Sequence, residues 1–110
     1  MKTLKFAPEL CTQIVAGTKT STWRLFDDKD LTVGDELIFV NKATLESFGT
    51  GEITHLYVKT LGTLKESDWI GHERFASDEV MYATYRRYYG DTVSQYTEVK
   101  IIHFTFSTNT

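Results

Sequence analysis

The strand-like segments of this sequence mostly follow one another without an intervening helix, and this order constrains the fold more than any other feature. Residues typical of strands occupy positions 4–7, 21–26, 36–40, 48–58 and 99–106, while helical patterns begin at Pro8 and Ser77. Strands that are not separated by helices favour an antiparallel or mixed sheet over a doubly wound parallel one. Short coiled sheets with aromatic interiors tend to close into barrels. We therefore predict an α+β fold, a small mixed or antiparallel β-barrel with two main helices.

Both predicted helices have recognisable ends. Pro8 suits the first turn of a helix, and Gly17 suits the position just after its last turn. Ser77 is typical of an N-cap, and Gly90 ends the second pattern. The apolar stripes are Leu10, Cys11, Ile14 and Val15 in the first helix, and Met81, Tyr85, Tyr88 and Tyr89 in the second. We expect these stripes to be buried against the sheet.

Length, charge and cysteine content exclude several classes of protein. The chain has 110 residues, a length that suits a single domain over residues 1–110. Its net charge is −3. A net acidic chain is a poor sequence-independent binder of duplex nucleic acid, although one groove can still be basic. Cys11 is the single cysteine and the three histidines lack metal-ligand spacing, so neither a disulfide nor a metal or other cofactor is expected. No apolar run suits a signal peptide or a membrane span, so the expected location is the cytoplasm.

Three polar residues form a candidate site at the junction of the first helix and the second strand. Thr22 and Arg24 share one face of that strand, because side chains alternate with a period of two. Lys19 precedes them in the turn and can reach over the same face. Such a cluster can hold an anion, a carbonyl group or the edge of a nucleobase. The alternative is that these residues are two solvated cations and a strand threonine.

This junction resembles the ASCH family. The pattern Gly17-x-Lys19-x-x-Thr22-x-Arg24, after a helix that begins near Pro8, is similar to the signature of that family. The similarity continues in residues 34–35 before an apolar strand, in residues 71–73, and in residues 88–90 before the last strand. The resemblance implies a PUA-like β-barrel that recognises RNA or a modified nucleoside.

One branch of the ASCH family consists of amidohydrolases that remove the acetyl group from N4-acetylcytidine. Their catalytic lysine and threonine correspond to Lys19 and Thr22 by position in the motif, and Glu73 is the best match for their glutamate. The resemblance implies Thr22 as nucleophile, Lys19 as its base, and Glu73 as the acid that protonates the leaving amine. Partial burial and the nearby Arg24 would lower the pKa of Lys19 as this role requires. His72, beside Glu73, is expected at the surface, with a catalytic pair of His72 and Glu73 as the alternative.

A role in binding without catalysis uses the same surface. Lys19 and Arg24 would then contact phosphates of single-stranded RNA. Three aromatic residues would stack on the bases: Trp23, Trp69 and Tyr89. Arg86 would extend the basic strip, unless it only complements the C-terminal end of the second helix. A third alternative is a regulatory module that binds a small metabolite in the same pocket.

Overall fold

The computed structural model describes residues 1–109 and contains one mixed sheet with two α-helices. The elements are β1 (Lys2–Phe6), α1 (Pro8–Ala16), β2 (Ser21–Leu25), β3 (Glu36–Asn41), β4 (Ser47–Thr60), α2 (Asp78–Tyr89), β5 (Glu98–Phe104) and β6 (Ser107–Thr108). Two short 3-10 helices, Leu61–Thr63 and Glu66–Trp69, lie between β4 and α2. The last position of the predicted domain, residue 110, lies outside the described residues. Within residues 1–109, neither helix has the length and apolarity needed to cross a membrane.

The sheet combines one parallel pair with antiparallel pairs. Its strand order is β1-β3-β4-β5-β2, and β6 pairs with β4. β1 runs parallel to β3, whereas the other strand pairs are antiparallel. The sheet curls into a half-barrel. The predicted α+β class, with a mixed barrel-like sheet and two main helices, is confirmed.

Two apolar clusters hold the helices on the sheet. In the first cluster, Ile14 of α1 packs with strand residues that include Phe39. In the second, Met81 and Tyr85 of α2 pack with residues of β2 and β5 that include Trp23. The second cluster matters for function, because it supports the strand that carries the candidate site.

The helices end at the predicted residues, although each exposes one position of its predicted apolar stripe. Gly17 follows α1 in the left-handed conformation with a φ of 83°. Ser77 caps α2, where its side chain accepts a hydrogen bond from the N–H of Val80 at 3.2 Å. Val15 is 53% exposed and Tyr88 is 56% exposed. Val15 lies about 100° around the helix from the buried position before it, which takes it off the face that contacts the sheet.

The last strand is shorter than predicted. It divides into β5, which ends at Phe104, and β6, which returns to pair with β4. A Cβ atom at Gly51 would overlap the carbonyl oxygen of Thr105, and one at Gly49 would overlap the ring of Phe106. These two glycines of β4 therefore let the segment between β5 and β6 cross at close range.

Candidate active site

A cavity of about 280 Å³ lies among residues of β1, β2, α2 and the loop that precedes α2. Its lining includes Thr22, Arg24, Lys42, Glu73, Tyr85 and Tyr89. Aromatic walls with a few charged and polar groups are the usual composition of a site for a small molecule. Nowhere in the described part of the chain do three or more His, Cys, Asp or Glu side chains form a group that could hold a metal ion.

Strand β2 presents its residues to the cavity and to the core. Thr22 and Arg24 lie two positions apart on the strand, as predicted, and both line the cavity. Trp23, which lies between them, is only 3% exposed and belongs to the second apolar cluster. Packing of this tryptophan fixes the strand, and with it the two polar side chains.

Lys19 is only 2% exposed, although lysine is almost never fully buried without a partner. The partner is Glu73, whose Oε1 lies 2.5 Å from the Lys19 Nζ across 54 residues of sequence. Nζ also donates a hydrogen bond to the carbonyl oxygen of Ser21 at 2.7 Å. The backbone N–H of Lys19 donates to the carbonyl oxygen of Gln13 at 3.2 Å, which holds the turn against α1.

The two partners perturb each other's ionisation. Burial lowers the pKa of Lys19, the charge and hydrogen bond of Glu73 partly restore it, and the charge of Arg24 lowers it further. Burial opposes ionisation of Glu73, but the charge that His72 carries when protonated and the charge and hydrogen bond of Lys19 outweigh it and lower the carboxyl pKa. The pKa of His72 is itself about 4, so Lys19 is the cation that keeps Glu73 ionised at pH 7.

The loop that carries Glu73 is attached to the start of β2. The carbonyl oxygen of Gly71 accepts hydrogen bonds from the backbone N–H groups of Thr20 at 2.8 Å and Ser21 at 3.1 Å. Gly71 has a φ of 76°, and a Cβ atom there would overlap the Thr20 Oγ1. Only glycine satisfies both conditions without strain. This close contact explains how a glutamate so distant in sequence reaches the buried lysine.

His72 is buried, so the prediction of an exposed histidine is wrong. Its ring stacks on that of Trp23 with centroids 4.0 Å apart and planes at 21°. Its Nδ1 lies 2.7 Å from the backbone carbonyl oxygen of Glu73. A carbonyl oxygen only accepts, so Nδ1 carries the hydrogen. Burial and the nearby charge of Lys19 lower the pKa of His72 to about 4, and the ring is neutral at pH 7.

The guanidinium group of Arg24 lies at the cavity with unused donors. Its central carbon is 4.9 Å from the centroid of the Phe6 ring, and Nη2 donates to the carbonyl oxygen of Lys5 at 3.1 Å. Its Nε is buried and has no hydrogen-bond partner within residues 1–109. Burial lowers the pKa of Arg24, but a guanidinium keeps its proton in proteins. The cavity therefore contains a permanent positive charge that is not fully hydrogen-bonded.

The structure brings most of the predicted site residues together and separates two from them. Thr22, Trp23, Arg24, Glu73 and Tyr89 line the cavity, and Lys19 contacts Glu73. Trp69 does not line it but packs on Trp23, with ring centroids 4.4 Å apart. Arg86 also lies outside the lining, where its Nε donates to the carbonyl oxygen of Val93 at 3.0 Å.

Tyr85 and Lys42 are among the cavity residues that were not predicted as site residues. Tyr85, expected only as a core residue of α2, also lines the cavity, and burial raises its pKa well above the ordinary value. Lys42 follows β3, and its Nζ lies 5.3 Å from the centroid of the Tyr88 ring. No sequence signal connects Lys42 with the motif, because the parallel pairing of β1 with β3 is what brings it there.

Fold and site together define a small α+β domain with a polar cavity beside a helix-to-strand junction. No protein-family model matches the sequence, and no curated protein matches it. Several crystal structures resemble the fold. A DUF984 protein from Enterococcus faecalis aligns with a TM-score of 0.80 and 13% identity over 98% of this chain and 77% of the other.

Two further neighbours are ASCH proteins. The ASCH domain from Lactobacillus crispatus aligns with a TM-score of 0.66 and 17% identity over 89% of this chain and 70% of the other. The ASCH protein from Zymomonas mobilis aligns with a TM-score of 0.63 and 19% identity over 94% of this chain and 65% of the other. The chain therefore has the fold of the ASCH domains, as its helix-to-strand motif predicted.

Proposed function

We propose that this chain is an amidohydrolase that removes an acyl group from the exocyclic amine of a nucleoside, with N4-acetylcytidine as the first substrate to test. The observation that carries the proposal is the 2.5 Å contact between the Lys19 Nζ and the Glu73 Oε1, at a cavity that Thr22 also lines. A buried base, an acid and a hydroxyl nucleophile are the groups that amide hydrolysis needs.

The size of the cavity supports a small substrate. Its volume of about 280 Å³ is close to the lower end of small-molecule sites, roughly 300 Å³. The volume suits a single nucleoside better than a strand of several nucleotides. Lys19 is also buried, so its proposed role is chemical and not the contact with a phosphate that RNA binding would require.

Proton transfer within the ion pair would supply the base and the acid. Burial disfavours both charged forms, so movement of the proton from Lys19 to Glu73 gives a neutral amine and a carboxylic acid inside the cavity wall. The neutral amine then accepts the proton of Thr22 as the threonine oxygen attacks the acyl carbon. The lysine becomes an ammonium again and is available to stabilise the oxyanion.

The protonated Glu73 completes the first half of the reaction. It donates its proton to the exocyclic nitrogen as the bond between carbon and nitrogen breaks, which releases the nucleoside and restores the ion pair with Lys19. The acyl group is then an ester on Thr22, and water hydrolyses it to the free acid. This order of proton transfers explains how Glu73, which is ionised at rest, can act as the acid: it receives its proton from Lys19.

Cytidine release from N4-acetylcytidine tests the proposal. The native protein should release cytidine and acetate in equal amounts, and Thr22→Val, which removes the hydroxyl at similar volume, should lower the rate by at least about 10²-fold. Thr54→Val is the matched control, because Thr54 is exposed on β4 and does not line the cavity. No cytidine from the native protein at high concentration, with the protein shown to be folded, would reject the proposal.

Binding of single-stranded RNA is the second candidate. It is favoured by Tyr88, which is 56% exposed and lines the cavity beside Lys42, where a base could stack. Micromolar binding of short single strands that weakens with salt and with Tyr88→Ala would support it. Binding that is unchanged by added salt and by Tyr88→Ala would count against RNA binding at this cavity.

A further inference from the structure

We infer that the substrate of this site carries a phosphate, so that the cavity prefers an N4-acylated cytidine 5′-monophosphate to the free nucleoside. The inference rests on the proposed function and deepens it by naming the charge class of the substrate. It is carried by two cations at the cavity, Arg24 and Lys42, that the hydrolytic steps leave unused.

The charges at the cavity do not balance. Glu73 is neutralised by Lys19. Within residues 1–109, neither Arg24 nor Lys42 forms an ion pair with a carboxylate. The whole chain has a net charge of −3, so Arg24 and Lys42, together with Lys5, which also lines the cavity without an ion pair among the described residues, are a local excess of positive charge. An anionic ligand would remove that excess.

Arg24 is oriented to bind an oxygen-rich anion. The Phe6 ring and the carbonyl oxygen of Lys5 hold the guanidinium group in place. The buried Nε of Arg24 has no partner in the described part of the chain. Guanidinium donors match the oxygens of phosphate in a paired, planar geometry. A phosphate in the cavity would accept hydrogen bonds from the guanidinium N–H groups that the carbonyl oxygen of Lys5 leaves unused.

Lys42 adds a second charge beside Tyr88. Its Nζ lies 5.3 Å from the centroid of the exposed Tyr88 ring, and both residues line the cavity. A phosphate monoester carries about −1.5 to −2 charge at pH 7. Two cations therefore balance the charge of a phosphate better than they balance the single charge of a carboxylate. A phosphate held by Arg24 and Lys42 leaves the base of the nucleotide to reach Thr22 and the ion pair.

Three substrates distinguish this inference from the alternatives. Initial rates of deacylation are measured for N4-acetylcytidine, for its 5′-monophosphate, and for N4-succinylcytidine, in which the negative charge lies on the acyl group. We expect kcat/KM to be at least about tenfold higher for the monophosphate than for the nucleoside at low salt, with a smaller ratio as salt is added. An equal or lower kcat/KM for the monophosphate overturns the inference. A preference for the succinyl compound over the monophosphate overturns it as well.

Charge-matched variants assign the preference to the two cations. Lys42→Ala should reduce the ratio of kcat/KM for monophosphate over nucleoside several-fold, whereas Arg87→Ala, which removes an exposed cation of α2 outside the cavity, should leave the ratio unchanged. Arg24→Gln should reduce the ratio further, with circular dichroism to check folding. The Lys42 variant decides the question if Arg24→Gln does not fold. If the ratio of kcat/KM for monophosphate over nucleoside is the same in Lys42→Ala as in the native protein, the inference is contradicted.

Binding of the deacylated products separates this inference from the hydrolytic proposal. Calorimetric titrations compare cytidine with cytidine 5′-monophosphate. If no acyl substrate is turned over but the monophosphate binds about tenfold more tightly than cytidine through Lys42, the hydrolytic proposal fails and the anion site is supported. If cytidine and its monophosphate bind equally, the inference fails, even when N4-acetylcytidine is hydrolysed.

Discussion

The imidazole ring of His72 stacks on the indole of Trp23, with the ring centroids 4.0 Å apart. Trp23 belongs to β2 and to the second apolar cluster, whereas His72 lies in the loop before α2. The stack therefore joins the loop that carries Glu73 to the strand that carries Thr22. The aromatic contact and the ion pair between Lys19 and Glu73 are two separate links between this loop and the start of β2.

The burial of His72 predicts a specific dependence of stability on pH. The pKa is about 4 in the folded chain against an ordinary value of 6.5. Between those values the unfolded chain binds the proton and the folded chain does not, so the free energy of unfolding falls as the pH falls. The full loss is about 3 kcal/mol. In His72→Phe, which keeps a stacked ring, the free energy of unfolding should fall less steeply between pH 7 and pH 5 than in the native protein, as measured by urea unfolding. Identical slopes in the two proteins would contradict the buried, neutral ring.

The ion pair between Lys19 and Glu73 should contribute far more to stability than an exposed pair. Lys19→Met leaves the Glu73 carboxylate without its buried partner, and the expected loss is about 3 kcal/mol. Glu66→Gln is the control, because Glu66 and its partner Arg74 have side chains that are 82% and 56% exposed. That change should cost less than about 1 kcal/mol. Urea unfolding at pH 7 measures both, and equal losses would show that Lys19 is not buried as described.

Gly71 should be intolerant of any side chain. Gly71→Ala combines a left-handed backbone with overlap against the Thr20 Oγ1, and we expect it to lower the free energy of unfolding by about 3 kcal/mol. Gly34→Ala isolates the backbone strain, because Gly34 has a φ of 92° and no atom within 4 Å of the added Cβ. That control should lose only about 1 kcal/mol. The same loss in both variants, measured by urea unfolding, would mean that the loop is not held against β2.

The local parts of the site could be predicted from the sequence. Period-two alternation placed Thr22 and Arg24 on one face of a strand, because that rule depends only on backbone geometry. The ends of the helices were equally predictable, since Gly17 and Ser77 act on the turns beside them. Each of these features is decided within a few residues of the chain.

The remaining features depend on contacts between distant segments. Lys19 and Glu73 are 54 residues apart. The family resemblance placed both in one site and the proposed role of Lys19 required partial burial, but no local pattern shows that the lysine is almost fully buried against the glutamate. His72 was expected at the surface, but its ring stacks on that of Trp23, which belongs to a distant strand. The ionisation of Glu73 was also beyond local reasoning: a resting acid needs a raised pKa, whereas the contact with Lys19 lowers it.

The most direct test of the account is the rate of cytidine release from N4-acetylcytidine by the native protein and by Lys19→Met. Lys2→Met is the matched control, because the Lys2 Nζ also contacts one carboxylate and one carbonyl oxygen, those of Asp35 at 2.8 Å and Asp30 at 2.6 Å. We expect Lys19→Met to lower kcat/KM by at least about 10²-fold and Lys2→Met to retain the native rate. A folded Lys19→Met protein that releases cytidine at the native rate would contradict the account.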